Sequence, residues 1–466
     1  MFKCWVGVCK QPLAFLLATT MAWAAPLVFA EEAEEAGAVQ EFVLKNGLKV
    51  IVKKDHRAPV VVTQVWYKVG SGHEHGGITG ISHMLEHMMF KGTHKFGPGE
   101  FSRIIAEEGG RENAFTSYDY TAYFQSLEKS RLEVSFELEA DRMQNLKLSS
   151  EALALEKQVV MEERRLRTDD DPQSLSMEHF RAVAFKNSPY RNPIIGWMTD
   201  IESYRIEDLE SWYRQWYAPN NAVVVVVGDV DPMQVKVLAD KHFGPLPAAD
   251  LQAIKPRREV SQLGPQRIKI YRPAQVSYLL LGYQVPSVAT AEIDWEPYAL
   301  MVLAAVFDGN DGARFSKNLV RGRHLAAELT VDYGLYDRES TLFVIAGRPT
   351  PGTEVDALEA AIREEIAGVQ REVVSDEELE RIKIRVVAED VYARDSLFYE
   401  ALQLGQLEAV GLGWQRREEF VDRIKSVTVE QVQAVANKYL LEQGSTVAVL
   451  KPQALQEPTE SKNGNR

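Results

Sequence analysis

Cysteine is almost absent from this sequence. The 466 residues contain only two, Cys4 and Cys9, and no cysteine follows them. For the remainder of the chain this excludes a thiolate nucleophile and a disulfide scaffold. A chain of this composition also cannot form incorrect disulfides in an oxidising compartment.

Net positive charge is lacking as well. The chain has 53 lysine and arginine residues against 67 aspartate and glutamate residues, which gives a formal net charge of −14. This balance gives no support for nucleic-acid binding and mildly favours basic peptides as partners through long-range steering. No motif supports a role at a membrane.

The apolar segment at the N-terminus is short for a membrane span. Lys3 and Lys10 precede an apolar run at Leu13–Ala25, and small residues before Glu31 suit a cleavage site. We therefore expect a cleaved signal peptide at residues 1–30, a periplasmic mature protein and no stable membrane anchor after cleavage. An uncleaved anchor is the alternative, and the shortness of the run and the prolines that flank it argue against this.

The sequence repeats itself at a nearly constant offset. A segment starting at Ile201 passes through a capped amphipathic helix into the strand 222–228. The segment starting at Ile424, 223 positions later, passes through a similar helix into the strand 445–450. An earlier pair of predicted helices, 225 positions apart, repeats the pattern. The chain is therefore predicted to consist of two homologous domains.

We predict an α+β fold in which each domain is a mainly antiparallel β-sheet packed with helices, because strands and helices occur in separate runs. The domains are placed at residues 38–245 and 266–452. They are joined by a linker at 246–265, whose prolines are typical of a connecting segment. A disordered tail is expected at 453–466.

The most informative segment is His83-Met84-Leu85-Glu86-His87. On a helix, positions i and i+4 lie one above the other, so His83 and His87 can present two imidazole nitrogens to one metal ion. Glu86 lies beside them and can activate a water bound to the metal. The order H-x-x-E-H reverses the zincin motif and is the inverzincin signature. A pair of packed surface histidines is the alternative interpretation.

A catalytic zinc site usually has three protein ligands and an open position for water, so a third ligand is needed. The predicted helix from Glu151 to Thr168 carries Glu156 and Glu163 on one face, two turns apart. The adjacent Glu162 faces elsewhere by about 100 degrees. For Glu156, a solvent-facing carboxylate is the alternative.

These segments resemble the M16 family of metallopeptidases, which includes pitrilysin and the mitochondrial processing peptidase. The likeness rests on the H-x-x-E-H motif with Glu163 placed 76 residues after His87, and on Gly70-Ser71-Gly72-His73-Glu74, Asn113-Ala114-Phe115-Thr116 and Pro189-Tyr190 followed by Ile195-Gly196. It covers most of the chain after the predicted signal peptide. The implied architecture is the short bacterial form, with two homologous domains of the M16 (LuxS/MPP-like) metallohydrolase fold.

The resemblance implies one zinc ion per chain, held by His83, His87 and Glu163. Glu86 would be the general base that takes a proton from the metal-bound water. Glu156 would orient a histidine without touching the metal. The implied activity is hydrolysis of peptide bonds by a metalloendopeptidase, although two histidines and a glutamate would accept several divalent ions.

The second predicted domain lacks this chemistry and is expected to be an inactive copy that helps to enclose the substrate. Its segment Met301–Asp308 has no histidine where the first domain has the motif. Arg381 and Ala388 stand near the positions that correspond to Glu156 and Glu163.

By the resemblance, Asn113, Ala114 and Phe115 belong to an edge strand that pairs with an extended peptide substrate. Such pairing uses backbone hydrogen bonds, so broad specificity would follow. An ordinary core strand is the alternative for this segment.

Complete family sites also hold the substrate with an arginine and a tyrosine from a C-terminal-type domain. Arg321 stands at the arginine position, but Ala327 stands at the tyrosine position and Tyr333 is displaced by six residues. The resemblance therefore implies a dimer with a homologous, non-catalytic M16 subunit that supplies the Arg/Tyr pair, with a homodimer as the alternative. A non-catalytic peptide-binding scaffold of the same fold is the alternative to an enzyme.

Overall fold

The structure is a computed structural model and describes residues 37–251 and 255–453. The predicted signal peptide and almost all of the predicted tail lie outside the described residues. Two sheets organise the chain, and helices pack against both. This architecture confirms the predicted α+β class with two similar domains. Among the described residues, no helix is both long and apolar enough to cross a membrane.

The first sheet has six strands in the order β1-β2-β6-β3-β5-β4. Their bounds are β1 Val39–Val43, β2 Lys49–Lys54, β3 Val60–Tyr67, β4 Arg111–Thr116, β5 Thr121–Glu128 and β6 Ala222–Gly228. Neighbouring strands are antiparallel except β2 and β6, which are parallel. The helices of this half are α1 Ile81–Met88, α2 Glu100–Glu107, α3 Leu132–Asn145, α4 Ser150–Arg164, α5 Pro172–Ala184, α6 Met198–Ser203, α7 Ile206–Trp216 and α8 Pro232–His242.

The second sheet has five strands in the order β7-β11-β8-β10-β9. Their bounds are β7 Gln266–Pro273, β8 Tyr278–Val285, β9 Ala326–Tyr333, β10 Thr341–Pro349 and β11 Ser445–Gln453. The helices are α9 Glu296–Phe307, α10 Val355–Arg371, α11 Asp376–Ala393, α12 Leu397–Ala409, α13 Arg416–Ser426 and α14 Val429–Tyr439. Without β1, the strand order matches that of the first sheet, and the one parallel pair, β7 with β11, occupies the same place. The sequence repeat is therefore a structural repeat.

Each half of the chain contributes one helix to the sheet of the other half. Helix α5 packs on β7, β8 and β11 of the second sheet, and α12 packs on β3 and β6 of the first. The two helices have the same length and begin 225 positions apart, so they occupy equivalent places in the repeat. The predicted domains at 38–245 and 266–452 each hold one sheet. A helix from the other domain packs on each sheet.

Because helices cover both faces of the first sheet, both faces of strand β6 are buried, and its sequence reflects this. Val224 and Val226 face the core formed with the first-half helices. Val223, Val225 and Val227 face the opposite way, in a cluster with residues of α12. All five are fully buried. A strand that is covered on both faces needs a continuous apolar run instead of an alternating one.

Candidate active site

Helix α1 begins at a tightly packed turn. Gly80 has a φ of 86°, which favours glycine, and a Cβ there would lie 2.3 Å from the Ile195 carbonyl oxygen. The buried Glu74 carboxylate accepts hydrogen bonds from the backbone N–H groups of Gly80 (2.6 Å) and Ser82 (2.9 Å). Burial raises the pKa of Glu74 to about 7, against the lowering effect of these N–H groups. The start of the helix that carries both histidines is thereby fixed.

The structure brings together His83, His87 and Glu163. Glu163 Oε2 lies 3.3 Å from His87 Nε2 and 3.9 Å from His83 Nε2. Tetrahedral zinc with ligands at about 2.0–2.1 Å places neighbouring ligand atoms about 3.3 Å apart, so this donor set fits a zinc ion. Among the described residues, these three are the one group of histidine, cysteine and acidic side chains close enough to hold a metal.

The two histidines differ in their protonation. Burial, together with the neighbouring His87, lowers the pKa of His83 to about 4, so His83 is neutral at pH 7. Burial also acts to lower the pKa of His87, but hydrogen bonds to Glu156 and Glu163 outweigh it and raise that pKa to about 9. The hydrogen bond from His87 lowers the pKa of Glu163. A metal ion at His87 Nε2 would displace the proton held there.

Glu156 lies behind His87 and does not face the other two ligands. Its Oε1 is 3.0 Å from His87 Nδ1, and its Oε2 is 2.5 Å from Lys91 Nζ. A carboxylate that accepts from Nδ1 fixes the imidazole orientation and leaves Nε2 for a metal. This is the arrangement expected for a residue that orients a ligand, and Glu156 is buried instead of facing solvent.

Glu86 projects from α1 towards the end of β4. Its Oε2 accepts a hydrogen bond of 2.5 Å from the Thr116 hydroxyl. Burial raises the pKa of Glu86, although the Thr116 hydroxyl acts in the opposite direction. A carboxylate whose pKa is raised towards neutrality is better suited to exchange a proton in both directions near pH 7.

A cavity of about 630 Å³ connects these groups with the sheet edge. The predicted ligands, Glu86 and the β4 residues Asn113, Ala114 and Phe115 all line it. Among the described residues, strand β4 pairs only with β5 and ends the order of the first sheet, so it is an edge strand. Residues of α5 and residues 191–195 also line the cavity.

The structure does not bring Arg321 to this cavity. Arg321 lies exposed in a π-helical turn at Phe315–Gly322 and is not among the lining residues. Tyr333 is buried, and its hydroxyl donates to the Pro286 carbonyl oxygen at 2.6 Å. The described part of this chain therefore places neither an Arg321 side chain nor a Tyr333 hydroxyl beside its own histidines.

Three polar neighbours of the site were not singled out from the sequence. Lys91 lies four residues after His87 and Arg167 lies four residues after Glu163, so helical spacing could have indicated both. Arg167 Nη1 lies 2.6 Å from Glu163 Oε1 and leaves the other oxygen for the histidines. Thr116 follows Phe115 directly, but its contact with Glu86 depends on how β4 packs beside α1 and has no local signal.

Two family models and several known proteins match this chain. The family model described as Insulinase (Peptidase family M16) matches residues 49–197, and the model described as Peptidase M16 inactive domain matches residues 203–386. The zinc protease PqqE of Helicobacter pylori is 32% identical over 424 residues, which cover 89% of this chain and 93% of that protein.

Solved structures share the fold. A protease from Helicobacter pylori superimposes with a TM-score of 0.84 and 30% identity, over 89% of this chain and 100% of that one. The periplasmic protease PqqL from Escherichia coli has a TM-score of 0.76 and 20% identity, over 89% of this chain and 48% of its own longer chain. The predicted fold is confirmed by these matches.

Proposed function

The chain belongs to peptidase family M16, and from this premise we propose that it is a zinc-dependent endopeptidase that hydrolyses extended peptides. One observation carries the proposal: His83, His87 and Glu163 lie together beside a free sheet edge. Glu86 lies on the same helix as the two histidines and contacts the end of β4. Family members that keep the fold as non-catalytic scaffolds typically lose one of these groups, and this chain has all four.

His83 Nε2, His87 Nε2 and Glu163 Oε2 would hold the zinc ion. When bound, zinc lowers the pKa of a water ligand towards 7 and polarises the scissile carbonyl. Glu86 takes a proton from the attacking water and delivers it to the leaving amine, as its raised pKa favours. Glu156 holds the His87 ring in place through Nδ1.

The substrate would add a strand to β4. The outer edge of β4 is unpaired in the described residues, and Asn113, Ala114 and Phe115 line the cavity that contains the ligands. Backbone hydrogen bonding along this edge would draw an extended peptide across the metal site without requiring a particular sequence.

The proposal is tested with tagged protein purified from its own cells, so that any partner subunit is retained. Hydrolysis of a quenched fluorescent peptide and zinc content are measured for the wild type and for Glu86→Gln. We expect wild-type hydrolysis with about one zinc per chain, and loss of at least about 1000-fold in kcat with zinc retained in the variant. Equal activity of the two proteins, or absence of both zinc and hydrolysis, would overturn the proposal.

We also propose that the site is completed by a homologous non-catalytic subunit in a heterodimer, with a homodimer as the alternative. The remote position of Arg321, the alanine at 327 and the buried Tyr333 support an Arg/Tyr pair supplied in trans. That E. coli PqqL has a longer chain, about half of which matches this one, is compatible with two such units acting together. Full peptidase activity from a monomeric chain in gel filtration would exclude the dimer.

The proposed location is the periplasm, reached through the signal peptide at residues 1–30. Two features support it: the charge and apolar pattern of that segment, and the absence of cysteine after Cys9. N-terminal sequencing of the protein from a periplasmic extract should start at or near Glu31. An intact N-terminus in the membrane fraction would contradict the proposal.

A further inference from the structure

Part of the cavity lining, here called the arginine wall, carries three arginine side chains. Arg167, Arg181 and Arg191 all line the cavity, and Arg181 lies on α5, one of the two exchanged helices. Met177 and Ser174, from the same helix, line the wall beside Arg181. An apolar side chain and a hydroxyl next to guanidinium groups form a pocket suited to a short side chain that ends in an anion.

The carboxylates of the cavity are already engaged. Glu163 and Glu86 belong to the metal site described above. Glu178 accepts two hydrogen bonds from Arg164, at 2.7 Å and 2.9 Å, in a buried bidentate pair. Of these three carboxylates, only Glu163 contacts an arginine of this wall, namely Arg167. None of the three neutralises Arg181 or Arg191.

Arg181 and Arg191 have no carboxylate within 4 Å in the described ranges of the chain. The Arg181 guanidinium lies 5.0 Å from the centre of the Tyr118 ring, and its buried Nη1 donates to no acceptor there. Arg191 donates to the Lys186 carbonyl oxygen at 3.0 Å and is otherwise exposed. A buried N–H without an acceptor is unfavourable, and an incoming anion would accept a hydrogen bond from it.

Asp337, which also lies in this region, does not satisfy Arg181. Asp337 lies close enough for Arg181 to influence its titration, but burial raises the pKa of Asp337 to about 7, so a large share of it is neutral at pH 7. The arginine wall therefore keeps an excess of positive charge facing the cavity, while the chain as a whole is acidic.

We propose that this wall is a specificity pocket that binds an acidic side chain of the peptide, at a residue next to the bond that is cleaved. The inference rests on the proposed function and adds the substrate class. Arg181 and Arg191 would bind the substrate carboxylate, and Met177 would pack on the methylene groups of glutamate. Long-range steering would still favour basic peptides overall, so acidic selectivity would be local to one position of the substrate.

The test compares pairs of peptides that carry either glutamate or glutamine at one position. A quenched peptide that the purified complex cleaves is mapped by mass spectrometry, and each residue flanking the cleaved bond is replaced in turn by glutamate or glutamine. The ratio of kcat/KM for the glutamate and glutamine peptides is measured for the wild type, Arg181→Gln and Arg191→Gln. Arg371→Gln, an exposed arginine at the end of α10, is the matched control.

We expect a ratio of about ten or more at one flanking position in the wild type and in Arg371→Gln, because a hydrogen bond to a charged group is worth about tenfold or more. The ratio should fall towards one in Arg181→Gln and in Arg191→Gln. Arg191 is exposed, so its variant tests the pocket even if Arg181→Gln fails to fold.

The outcomes separate this inference from the proposed function. Cleavage of all the peptides with ratios near one, or a high ratio that Arg191→Gln and a folded Arg181→Gln retain, would overturn the specificity pocket and leave the peptidase intact. Absence of cleavage of every peptide, in the wild type as in Glu86→Gln, would overturn the proposed function and this inference with it.

Discussion

Glu156 shows how a single carboxylate can orient a proposed metal ligand without facing the other two ligands. It accepts from His87 Nδ1 on one side and from Lys91 on the other, and its own side chain is buried. The orientation of the His87 ring therefore depends on Glu156. Burial acts to raise the pKa of Glu156, but the hydrogen bonds from His87 and then from Lys91 outweigh it and lower that pKa.

Glu156→Gln should weaken zinc binding by about 10–100-fold, because a neutral amide polarises the imidazole less and pairs poorly with Lys91. The zinc Kd is measured by competition with a chromophoric chelator. Glu162→Gln is the matched control, since Glu162 lies on the same helix but is exposed and paired with Arg165. Equal Kd values for the two variants would show that Glu156 does not orient His87.

At this scale much of the site could be predicted from the sequence. His83, Glu86 and His87 lie within five residues, so helical geometry alone indicates that they meet. Glu163 required the second helix and the family resemblance. Arg181 and Arg191 could not be predicted, because an unpaired arginine has no sequence signature. The position of Arg181 also depends on a helix that packs against the other half's sheet.

At the scale of the elements, the main feature is the exchange of α5 and α12 between the two sheets. At each of these two contacts between a helix and a sheet, an aromatic ring packs closely against a glycine. A Cβ on Gly405 of α12 would lie 2.1 Å from the Trp66 ring of β3, and a Cβ on Gly282 of β8 would lie 2.5 Å from the Phe180 ring of α5. The close approach of helix and strand at both places requires a residue without a side chain.

Gly405→Ala should lower the free energy of unfolding by about 1–3 kcal/mol, because the added methyl group overlaps the fully buried Trp66 ring. Gly368→Ala, on α10, is the matched control, since a Cβ there meets no atom within 4 Å. It should raise the stability by up to about 1 kcal/mol through helix propensity. Both are measured by chemical denaturation, and a stabilising Gly405→Ala would contradict the close packing of α12 on the sheet.

The exchange was missed because an amphipathic pattern shows which face of a helix is buried and not which sheet buries it. One signal was nevertheless present. The valines of β6 form an unbroken run, which indicates a strand covered on both faces. The repeat and the helix that carries Glu156 and Glu163 could be predicted, since each depends on local patterns. The partner of each helix depends on the whole chain.

At the scale of the whole molecule, a polar contact joins the two halves beside the cavity. Arg338 donates to Asp119 through its backbone N–H and its Nε, each at 3.1 Å. The Tyr190 hydroxyl also donates to Asp119 and accepts from the backbone N–H of Glu339 at 3.2 Å. The neighbouring Asp337 lies half-buried in the same loop between β9 and β10.

The raised pKa of Asp337 predicts a pH-dependent contribution to stability. Burial raises this pKa to about 7 in the folded chain, from about 3.8 when exposed, so the folded state binds the proton more tightly. Its stabilising effect is complete below about pH 4 and is lost as the pH rises to about 7, by up to about 1.4 kcal/mol per pH unit.

Asp337→Asn should remove this slope. The difference in unfolding free energy, variant minus wild type, is measured by urea denaturation from pH 4 to pH 7 and should increase with pH. Asp422→Asn, at an exposed position on α13, is the control for loss of a negative charge. A difference that stays constant across this range for Asp337→Asn would show that the carboxyl group ionises as freely in the folded chain as in the unfolded one.

The proposed function requires that His83, His87 and Glu163 of one chain bind zinc, whether or not a partner subunit is present. Zinc-edge X-ray absorption of the purified, zinc-loaded chain identifies the atoms that surround the metal. We predict one zinc per chain, surrounded by two imidazole nitrogens and by oxygens at about 2.0–2.2 Å, with one nitrogen lost in His83→Ala. A shell of oxygens alone, or a spectrum that His83→Ala leaves unchanged, would contradict the account.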